Sequence, residues 1–299
     1  MGATGLTIGV FDSGFGGLTV LRELLPLVAG SHCVYLGDTA RLPYGSKSRE
    51  TIVRYALSSA RFLQRQGAQL LVVACNTATA LALEDLRAAL PIPVVGVIQP
   101  GVEAAVTACR EVGTAGEVLV LATQATVESH AYARACATLA LKATEKACPL
   151  LVPLVEEGWI CEGTLDEETP GEDGGASDAA RAFVTAQVLR IYLGEALRDA
   201  PESRALLLGC THYPLLRTEI ERTLAELGRP LRVIDSAQAT ARVVSRILSG
   251  MGHARTDLAE VDEATCEFFA TDSVRKFERL GPRFLGRPVG KVQLVDLGG

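Results

Sequence analysis

Short apolar runs alternate with longer amphipathic stretches along the chain, and this alternation limits the folds that the chain can adopt. Residues 48–66 illustrate the amphipathic kind, because Ile52, Tyr55, Ser59 and Phe62 recur at the spacing of one helix face. Strands separated by helices are typical of parallel sheets, since a parallel strand needs a crossover before its neighbour. The pattern predicts strands at residues 7–11, 33–37, 70–74, 94–97, 118–122, 150–153, 205–209, 231–235 and 266–271.

Composition supports this fold class and excludes several functions. Of the 299 residues, 48% are hydrophobic but only 5% aromatic, so the core consists mainly of Ala, Leu and Val, as buried parallel strands favour. The length fits one large domain or two of about 150 residues. A net charge of −6 without a cluster of Lys and Arg disfavours nucleic-acid binding. The chain has no apolar run of about 18 residues and no basic leader, so we expect a cytoplasmic protein without a membrane span.

Small and polar residues follow three of the predicted strands, where ligands of parallel sheets bind. DSGFGG begins at Asp12, CNT begins at Cys75 and CTHYP begins at Cys210. The segments after Cys75 and Cys210 resemble each other, because each consists of a strand, a cysteine and a polar residue before a helix. Thr123 follows the fifth strand much as Asp12 follows the first. These correspondences indicate two related halves, the first beginning near residue 7 and the second near residue 118.

Cys75 and Cys210 are the cysteines best placed for chemistry. A thiol at a helix N-terminus is expected to have a lowered pKa and a larger thiolate fraction. A buried structural cysteine is the alternative for either residue alone, but matching positions in two halves favour a pair that flanks one cleft. His212 is able to orient or polarise the Cys210 thiol, or to bind a carboxylate. The eight cysteines include no C-x-x-C pair, so we expect free thiols rather than a zinc or redox site.

The Gly-rich segment after the first strand differs from nucleotide-binding loops, since it matches neither GxGxxG nor GxxxxGK[ST]. It is either a plain turn or a loop whose backbone N–H groups approach a ligand carboxylate. In the second case Asp12 and Ser13 meet polar groups of the ligand. Tyr44 and Gly45 lie at the same end of the sheet, in a turn that also allows ligand contact. Asp38 is either a cap or a partner of such a contact residue.

Two further features are assigned no function. Residues 163–178 are rich in Gly, Asp and Glu and are expected to form an exposed, mobile loop. His32, His130 and His253 have no Cys, Asp or Glu at the spacing of metal ligands. We therefore expect these histidines to be surface or satisfied residues, and we expect no metal site.

Five segments resemble the signature segments of the bacterial glutamate racemase family, which belongs to the aspartate/glutamate racemase superfamily. They are IGVFDSGFGGLTVL (8–21), YLGDTARLPYG (35–45), VVACNTATA (72–80), PLVEEG (153–158) and LLLGCTHYPLL (206–216). The resemblance implies an α/β fold of two similar domains, each a mainly parallel sheet flanked by helices, with the active site in the cleft between them. It also implies the domain limits, with residues 1–98 plus 235–299 in a discontinuous first domain and residues 99–234 in the second.

The resemblance further implies roles for individual residues. Cys75 and Cys210 match the family's two catalytic bases, and Glu156 lies in its PLxEEG segment. We expect Asp12 to assist Cys75 and His212 to assist Cys210 as neighbouring acid/base groups. The family often has a glycine where this chain has Ala122. Thr123 and Thr126, in the same segment, match threonines of the family and are candidate substrate contacts. The candidate substrate contacts are Asp12, Ser13, Tyr44, Gly45, Asn76, Thr77, Thr123, Thr126, Thr211 and His212.

The implied reaction is interconversion of L- and D-glutamate without pyridoxal phosphate, another cofactor or a metal. Cys75 removes the α-proton of D-glutamate while Cys210 returns one to the opposite face, and the roles reverse for L-glutamate. The family supplies D-glutamate for peptidoglycan and commonly forms homodimers, which implies a bacterial cytoplasmic protein. Two alternatives stay open, a relative acting on aspartate, another small acid or a hydantoin, and a binding protein with two α/β lobes. The Thr-His pair after Cys210 and the DSGxGGLTV segment favour glutamate.

Overall fold

Parallel strands and helices alternate through the computed structural model, which describes residues 6–111, 116–160, 178–251 and 264–298. The strands within these ranges are β1 (Thr7–Asp12), β2 (His32–Gly37), β3 (Leu70–Val73), β4 (Val94–Gly96), β5 (Glu117–Ala122), β6 (Lys142–Ala147), β7 (Ser203–Gly209), β8 (Arg232–Asp235), β9 (Thr265–Ala270) and β10 (Val292–Leu294). The helices are α1 (Leu18–Leu24), α2 (Arg49–Arg65), α3 (Asn76–Ala89), α4 (Ile98–Glu111), α5 (Gln124–Glu128), α6 (Ala131–Thr138), α7 (Leu151–Glu156), α8 (Asp178–Asp199), α9 (Arg217–Glu226), α10 (Ser236–Gly250) and α11 (Val274–Leu285).

The strands form two parallel sheets with the same internal order. The six-stranded sheet runs β10-β9-β2-β1-β3-β4 and the four-stranded sheet runs β6-β5-β7-β8. When the strands of each half are counted in chain order, their order across the sheet is therefore second, first, third and fourth. β1 begins at Thr7 and β5 at Glu117, close to the two starting points that the sequence predicts. The prediction of two similar halves is confirmed.

The central strands are continuous apolar runs because helices cover both faces of each sheet. All four residues of β3 and all six residues of β5 are buried. Along α2, the buried residues Ile52, Ala56, Ser59, Phe62 and Leu63 form the face that the periodicity predicts, and Ser48 caps its first turn by accepting the N–H of Thr51. Eight of the nine predicted strands are present, with ends that differ by one or two residues.

The strand predicted at residues 150–153 is wrong. This segment belongs to α7, where Pro153 lies in the first turn and needs no intrahelical donor. The strand that fills the place, β6, has the sequence KATEKA and lies at the edge of its sheet, half-buried over most of its length. Because most of its residues are polar or charged, β6 lacks the apolar run from which most of the other strands were predicted. β10, of three residues, was also missed.

The chain crosses from the first sheet to the second through α4 and returns through α10, which packs against both α1 and α4. β9 then pairs with β2, so the C-terminal segment completes the first sheet. This topology agrees with a discontinuous first half, although the residue limits of the two domains stay a prediction. The predicted loop at 163–178 lies outside the described residues except for Asp178, which begins α8. Within the described ranges, no helix is long and apolar enough to cross a membrane.

Candidate active site

The two halves meet at the carboxyl ends of their central strands, and contacts cross directly between them. Thr77 Oγ1, after β3, lies 3.0 Å from Thr123 Oγ1, after β5. Asn76 Nδ2 donates a 2.7 Å hydrogen bond to the hydroxyl of Tyr132 on α6. Thr19 on α1 donates to the carbonyl oxygen of Thr211 at 3.2 Å. The strand ends that carry the motifs therefore face one another across a common cleft.

Cys75 is the N-cap of α3 and is 5% exposed. Its Sγ accepts the N–H of Ala78 at 3.4 Å and lies 3.7 Å from the hydroxyl oxygen of Ser13. The pKa of this thiol is raised to about 12, chiefly by burial and also by the charge of Asp12, while the hydrogen bonds from Ala78 and Ser13 limit the rise. The expectation of a lowered pKa is therefore wrong for Cys75, because desolvation outweighs the favourable position at the helix N-terminus.

Asp12, the last residue of β1, is fully buried beside Cys75. Its Oδ2 accepts the N–H of Gly14 at 3.0 Å, while Oδ1 has no hydrogen-bond partner among the described residues. Burial raises the pKa of this carboxyl, and the proximity of His212 and three backbone N–H groups opposes that rise. A buried carboxylate with one free oxygen suits either a proton shared with a thiol or an ammonium group of a ligand.

Cys210 follows β7 and is 7% exposed. Its Sγ lies 3.9 Å from His212 Nδ1, and the Thr211 hydroxyl lies 3.4 Å from the same nitrogen. Burial raises the pKa of Cys210 well above its ordinary value, and the nearby Cys75 raises it further, while the backbone N–H of His212 works in the opposite direction. A 3₁₀ turn, Tyr213–Leu216, follows this cysteine, so the helix predicted directly after Thr211 begins as an α-helix only at Arg217.

Glu156, at the end of α7, reaches the far side of the His212 ring. Its Oε1 lies 3.3 Å from His212 Nε2, within ion-pair range but without the alignment of a hydrogen bond. Its Oε2 accepts from Lys276 Nζ at 2.9 Å. Burial alone would raise the pKa of Glu156, but His212 and Lys276 outweigh burial and hold that pKa below the ordinary value. The sequence predicts that Glu156 belongs to the candidate site. In the structure, Glu156 lies beside His212, which in turn lies beside Cys210.

The polar residues after β3 and β5 contact one another where the two halves meet. Asn76 Oδ1 is buried without a hydrogen-bond partner among the described residues, while the amide nitrogen of the same side chain donates to Tyr132. The hydroxyls of Thr77, Thr123 and Thr126 lie within 2.9–3.2 Å of one another. An unsatisfied buried acceptor beside a cluster of hydroxyls is suited to an ammonium and a carboxylate on one small ligand.

Tyr44 and Gly45 reach the site from the turn after β2. The Tyr44 hydroxyl donates to Asp38 Oδ2 at 2.5 Å, and Thr271 donates to Asp38 Oδ1 at 3.0 Å. Asp38 therefore serves as the partner of Tyr44, which decides between the two roles left open above. Gly45 lies so close to the second half that a Cβ at this position would be 2.9 Å from Thr123 Cβ.

A cavity of about 330 Å³ adjoins these residues between the two halves. Thr123, Gly45 and Glu156 line it together with Cys148 and apolar residues such as Pro43 and Val152, whereas Cys75 and Cys210 are not among the lining residues. The seven cysteines of the described residues are free thiols, whereas Cys161 lies outside those ranges. The described part of the chain contains no group of three or more His, Cys, Asp or Glu that could hold a metal ion.

The remaining histidines behave as expected where they are described. His32 Nδ1 lies 2.8 Å from the Thr265 hydroxyl, and His130 Nδ1 lies 3.3 Å from a carboxylate oxygen of Glu145. Both rings have polar partners outside the cleft. His253 lies outside the described residues.

Three residues in contact with the site were missed in the sequence. Tyr132 lies within α6 and Lys276 within α11, and no motif surrounds either. Phe15 lies inside the Gly-rich segment, where its ring packs 6.1 Å from that of His212. Only Phe15 carried a signal, since a large apolar residue among glycines and polar residues indicates a side chain that must be buried.

A two-lobed α/β enzyme with one thiol from each lobe in a shared cleft is the class that this fold and site define. The model of the Asp/Glu/Hydantoin racemase family matches residues 8–244, and the chain belongs to this family. The glutamate racemase of Koribacter versatilis is 46% identical, over 98% of this chain and 98% of its own length.

Two solved structures are similar over nearly the whole of both chains. The glutamate racemase from Thermus thermophilus, in complex with beta-chloro-D-alanine, is 40% identical with a TM-score of 0.77, covering 98% of this chain and 97% of that one. The glutamate racemase from Francisella tularensis, in complex with D-glutamate, is 30% identical with a TM-score of 0.79, covering 99% of each chain.

Proposed function

We propose that this protein is a glutamate racemase that interconverts L- and D-glutamate by proton transfer between Cα and two cysteines, Cys75 and Cys210. The observation that carries the proposal is the placement of one buried thiol from each half in a shared cleft, each beside its own acid/base group. Asp12 lies beside Cys75, and His212 Nδ1 lies 3.9 Å from Cys210 Sγ. The similar glutamate racemase from Francisella tularensis binds D-glutamate.

Racemisation requires that one thiol is ionised and the other protonated when substrate arrives. Burial favours the neutral form of both thiols. The α-ammonium of glutamate brings a positive charge between them and so favours one thiolate. Cys75 then removes the proton of D-glutamate while Cys210 supplies one to the opposite face, and L-glutamate reverses these roles. Asp12 and His212 exchange protons with the adjacent thiols and restore the starting state.

The carbanion formed in this reaction has no cofactor to delocalise its charge. Backbone N–H groups after the two cysteines provide hydrogen bonds to the α-carboxylate, and the buried position of both thiols excludes water, which strengthens those interactions. Asn76 Oδ1, buried and without a described partner, is positioned to accept from the α-ammonium. Thr77, Thr123 and Thr126 supply hydroxyls for a carboxylate of the substrate.

The family resemblance supports a wider role. We place the protein in the bacterial cytoplasm, where it supplies D-glutamate for peptidoglycan, and we expect it to act as a homodimer. Size-exclusion chromatography with light scattering checks the dimer, which a monomeric mass at micromolar concentration would contradict.

Circular dichroism of L-glutamate incubated with the purified protein tests the activity, with D-glutamate as the reverse reaction. The signal is expected to decay to zero from both sides, because the two enantiomers have equal free energy. In deuterated water the product should carry α-deuterium. L-Aspartate serves as the comparison substrate, and faster turnover of aspartate than of glutamate would overturn the proposed specificity.

Two variants test the pair of bases. Cys75→Ala and Cys210→Ala should each abolish racemisation, since a single base cannot serve both faces of Cα. Cys109→Ala is the matched control, because this buried cysteine lies on α4 outside the cleft and should leave activity unchanged. Full activity of either site variant would refute the two-base mechanism.

A further inference from the structure

The carboxylate of Glu156 lies between two nitrogen groups from different parts of the chain, the imidazole of His212 and the ammonium of Lys276. Oε1 lies 3.3 Å from His212 Nε2 and Oε2 lies 2.9 Å from Lys276 Nζ. The Glu156 side chain is 13% exposed, so neither oxygen relies mainly on water. Glu156 belongs to α7, beside the second sheet, whereas Lys276 belongs to α11, which packs against α1 of the first half. This ion pair therefore spans the two halves.

Lys276 is held in place by its surroundings. Its neighbour Phe277 is fully buried, with its ring 6.3 Å from that of Phe15 in an edge-on contact. The ammonium of Lys276 lies 5.6 Å from the centre of the Phe15 ring, and the same ring contacts His212. Lys276 and His212 thus share both a carboxylate and an aromatic neighbour. Only about a third of the Lys276 side chain is exposed.

We propose that Lys276 is a positioning residue for the reaction, which anchors the Glu156 carboxylate so that it supports the His212 imidazole beside Cys210. The proposal deepens the proposed function and rests on it. When Cys210 gives its proton to His212, the imidazole becomes a cation and needs a fixed anion on its far side. Lys276 keeps Glu156 ionised and directs its second oxygen at His212. Without Lys276, Oε2 loses its partner in a largely dry environment, where a neutral carboxylic acid is favoured.

The charged and titratable groups around Glu156 determine the direction of the pH effect. His212 and Cys210 face it from the segment after β7, and Lys276 faces it from α11. Arg283, also on α11, lies close to Gly158 just beyond α7. Burial raises the pKa of Glu156, while His212 and Lys276 lower it. Removal of Lys276 therefore shifts the titration of Glu156 to higher pH, so the acid limb of the activity profile moves to higher pH as well.

Replacement of Lys276 by methionine tests the proposal, with Lys276→Arg as the conservative variant. We expect Lys276→Met to lower kcat/KM about tenfold at neutral pH, the size associated with one charge-assisted hydrogen bond. Most of the loss should fall on kcat, and the acid limb should move to higher pH. The fall in kcat/KM must be equal for L- and D-glutamate, since their equilibrium constant is one. Lys276→Arg should restore both rate and profile.

Arg275→Met is the matched control, because Arg275 is an exposed cation on the same helix. Thermal unfolding verifies that all variants are folded. A Lys276→Met profile that coincides with that of Arg275→Met, or a loss that is independent of pH and not rescued by arginine, overturns the proposal. NMR chemical shifts of the His212 ring nitrogens at neutral pH, assigned with a His212→Asn variant, supply a readout without turnover. Lys276→Met should change those shifts and Arg275→Met should not. Failure of wild-type protein to racemise glutamate would refute the proposed function instead, whatever the ring shifts show.

Discussion

The protonation of Cys75 leads to a quantitative prediction for its chemical reactivity. With a pKa of about 12, the thiolate fraction at pH 8 is on the order of 10⁻⁴, against about a quarter for an ordinary cysteine. For thiolates of equal nucleophilicity, alkylation by iodoacetamide should therefore be about two thousand times slower than for a free thiol. The alkylation rate of Cys75 should rise about tenfold for each pH unit between about pH 7 and 9.5, because the thiolate fraction rises by that factor well below the pKa. This slope is the sharper test, since it does not depend on steric access.

Peptide mass spectrometry resolves the reaction at each site. The tryptic peptide 66–87 contains Cys75 as its single cysteine, and the peptide 205–217 contains only Cys210. A rate for Cys75 that reaches a plateau between pH 7 and 9 would refute the reasoning, because it would require a thiolate already formed in the empty site.

Replacement of Asp12 by asparagine separates the two causes of the raised pKa. The charge of Asp12 is the second cause after burial, so Asp12→Asn should lower the pKa of Cys75 and speed its alkylation at pH 8. Racemisation should nevertheless fall, since the proposed acid/base partner is lost. Glu84→Gln, a change at an exposed carboxylate on α3, is the control and should alter neither rate. Slower alkylation of Asp12→Asn than of wild type would contradict this account.

Two further substitutions test the packing around the site. Gly16→Ala places a Cβ 2.6 Å from the His212 ring, so we expect kcat/KM to fall at least tenfold, measured by circular dichroism, and unchanged kinetics would show that the ring is free to move. Ser48→Ala removes the cap of α2 and should lower the free energy of unfolding by about 1 kcal/mol in urea titrations without affecting activity. A change in activity without a change in stability would contradict the assignment of Ser48 to a purely structural role.

Strands that are buried on both faces of a sheet were predictable from the sequence. β3 and β5 are apolar throughout because helices cover both of their faces, and such strands contrast clearly with amphipathic helices. β6 is an edge strand with a half-buried, charged sequence, so pairing with β5 determines its structure rather than its own composition. The neighbouring segment 150–153 is apolar for a different reason, since it begins the short helix α7 that packs beside α8 and the turn after β7.

Those residues of the candidate site that lie at the end of a strand were predictable from the sequence. Parallel strands bring Asp12, Cys75, Thr123 and Cys210 to the facing edges of the two sheets, whatever their separation in the chain. Lys276 reaches the site from a helix far along the chain, and its local sequence carries no indication of the contact. Its role depends on the packing of α11, which only the folded structure contains.

The electrostatics of the thiols were the least predictable property. A position at a helix N-terminus is readable from sequence and favours a thiolate, but the degree of burial is not readable and acts in the opposite direction. For Cys75, desolvation is the larger effect. The same burial that suppresses the thiolate also limits the access of water to both thiols, so the raised pKa and the low exposure of these side chains have one structural cause.

The two halves share strand order but differ in what surrounds each thiol. Cys75 lies beside the carboxyl of Asp12, whereas Cys210 lies beside the imidazole of His212. The other side of that imidazole faces Glu156, which accepts a hydrogen bond from Lys276. Repetition of the fold therefore accounts for two thiols at matching strand ends, and divergence of the adjacent residues accounts for their unlike neighbours. In the proposed reaction the thiols must hold opposite protonation states, and identical surroundings would give them equal proton affinities. The unlike neighbours cannot bias the final ratio of enantiomers, which thermodynamics sets at one, but in the proposed mechanism they give the two thiols unequal proton affinities.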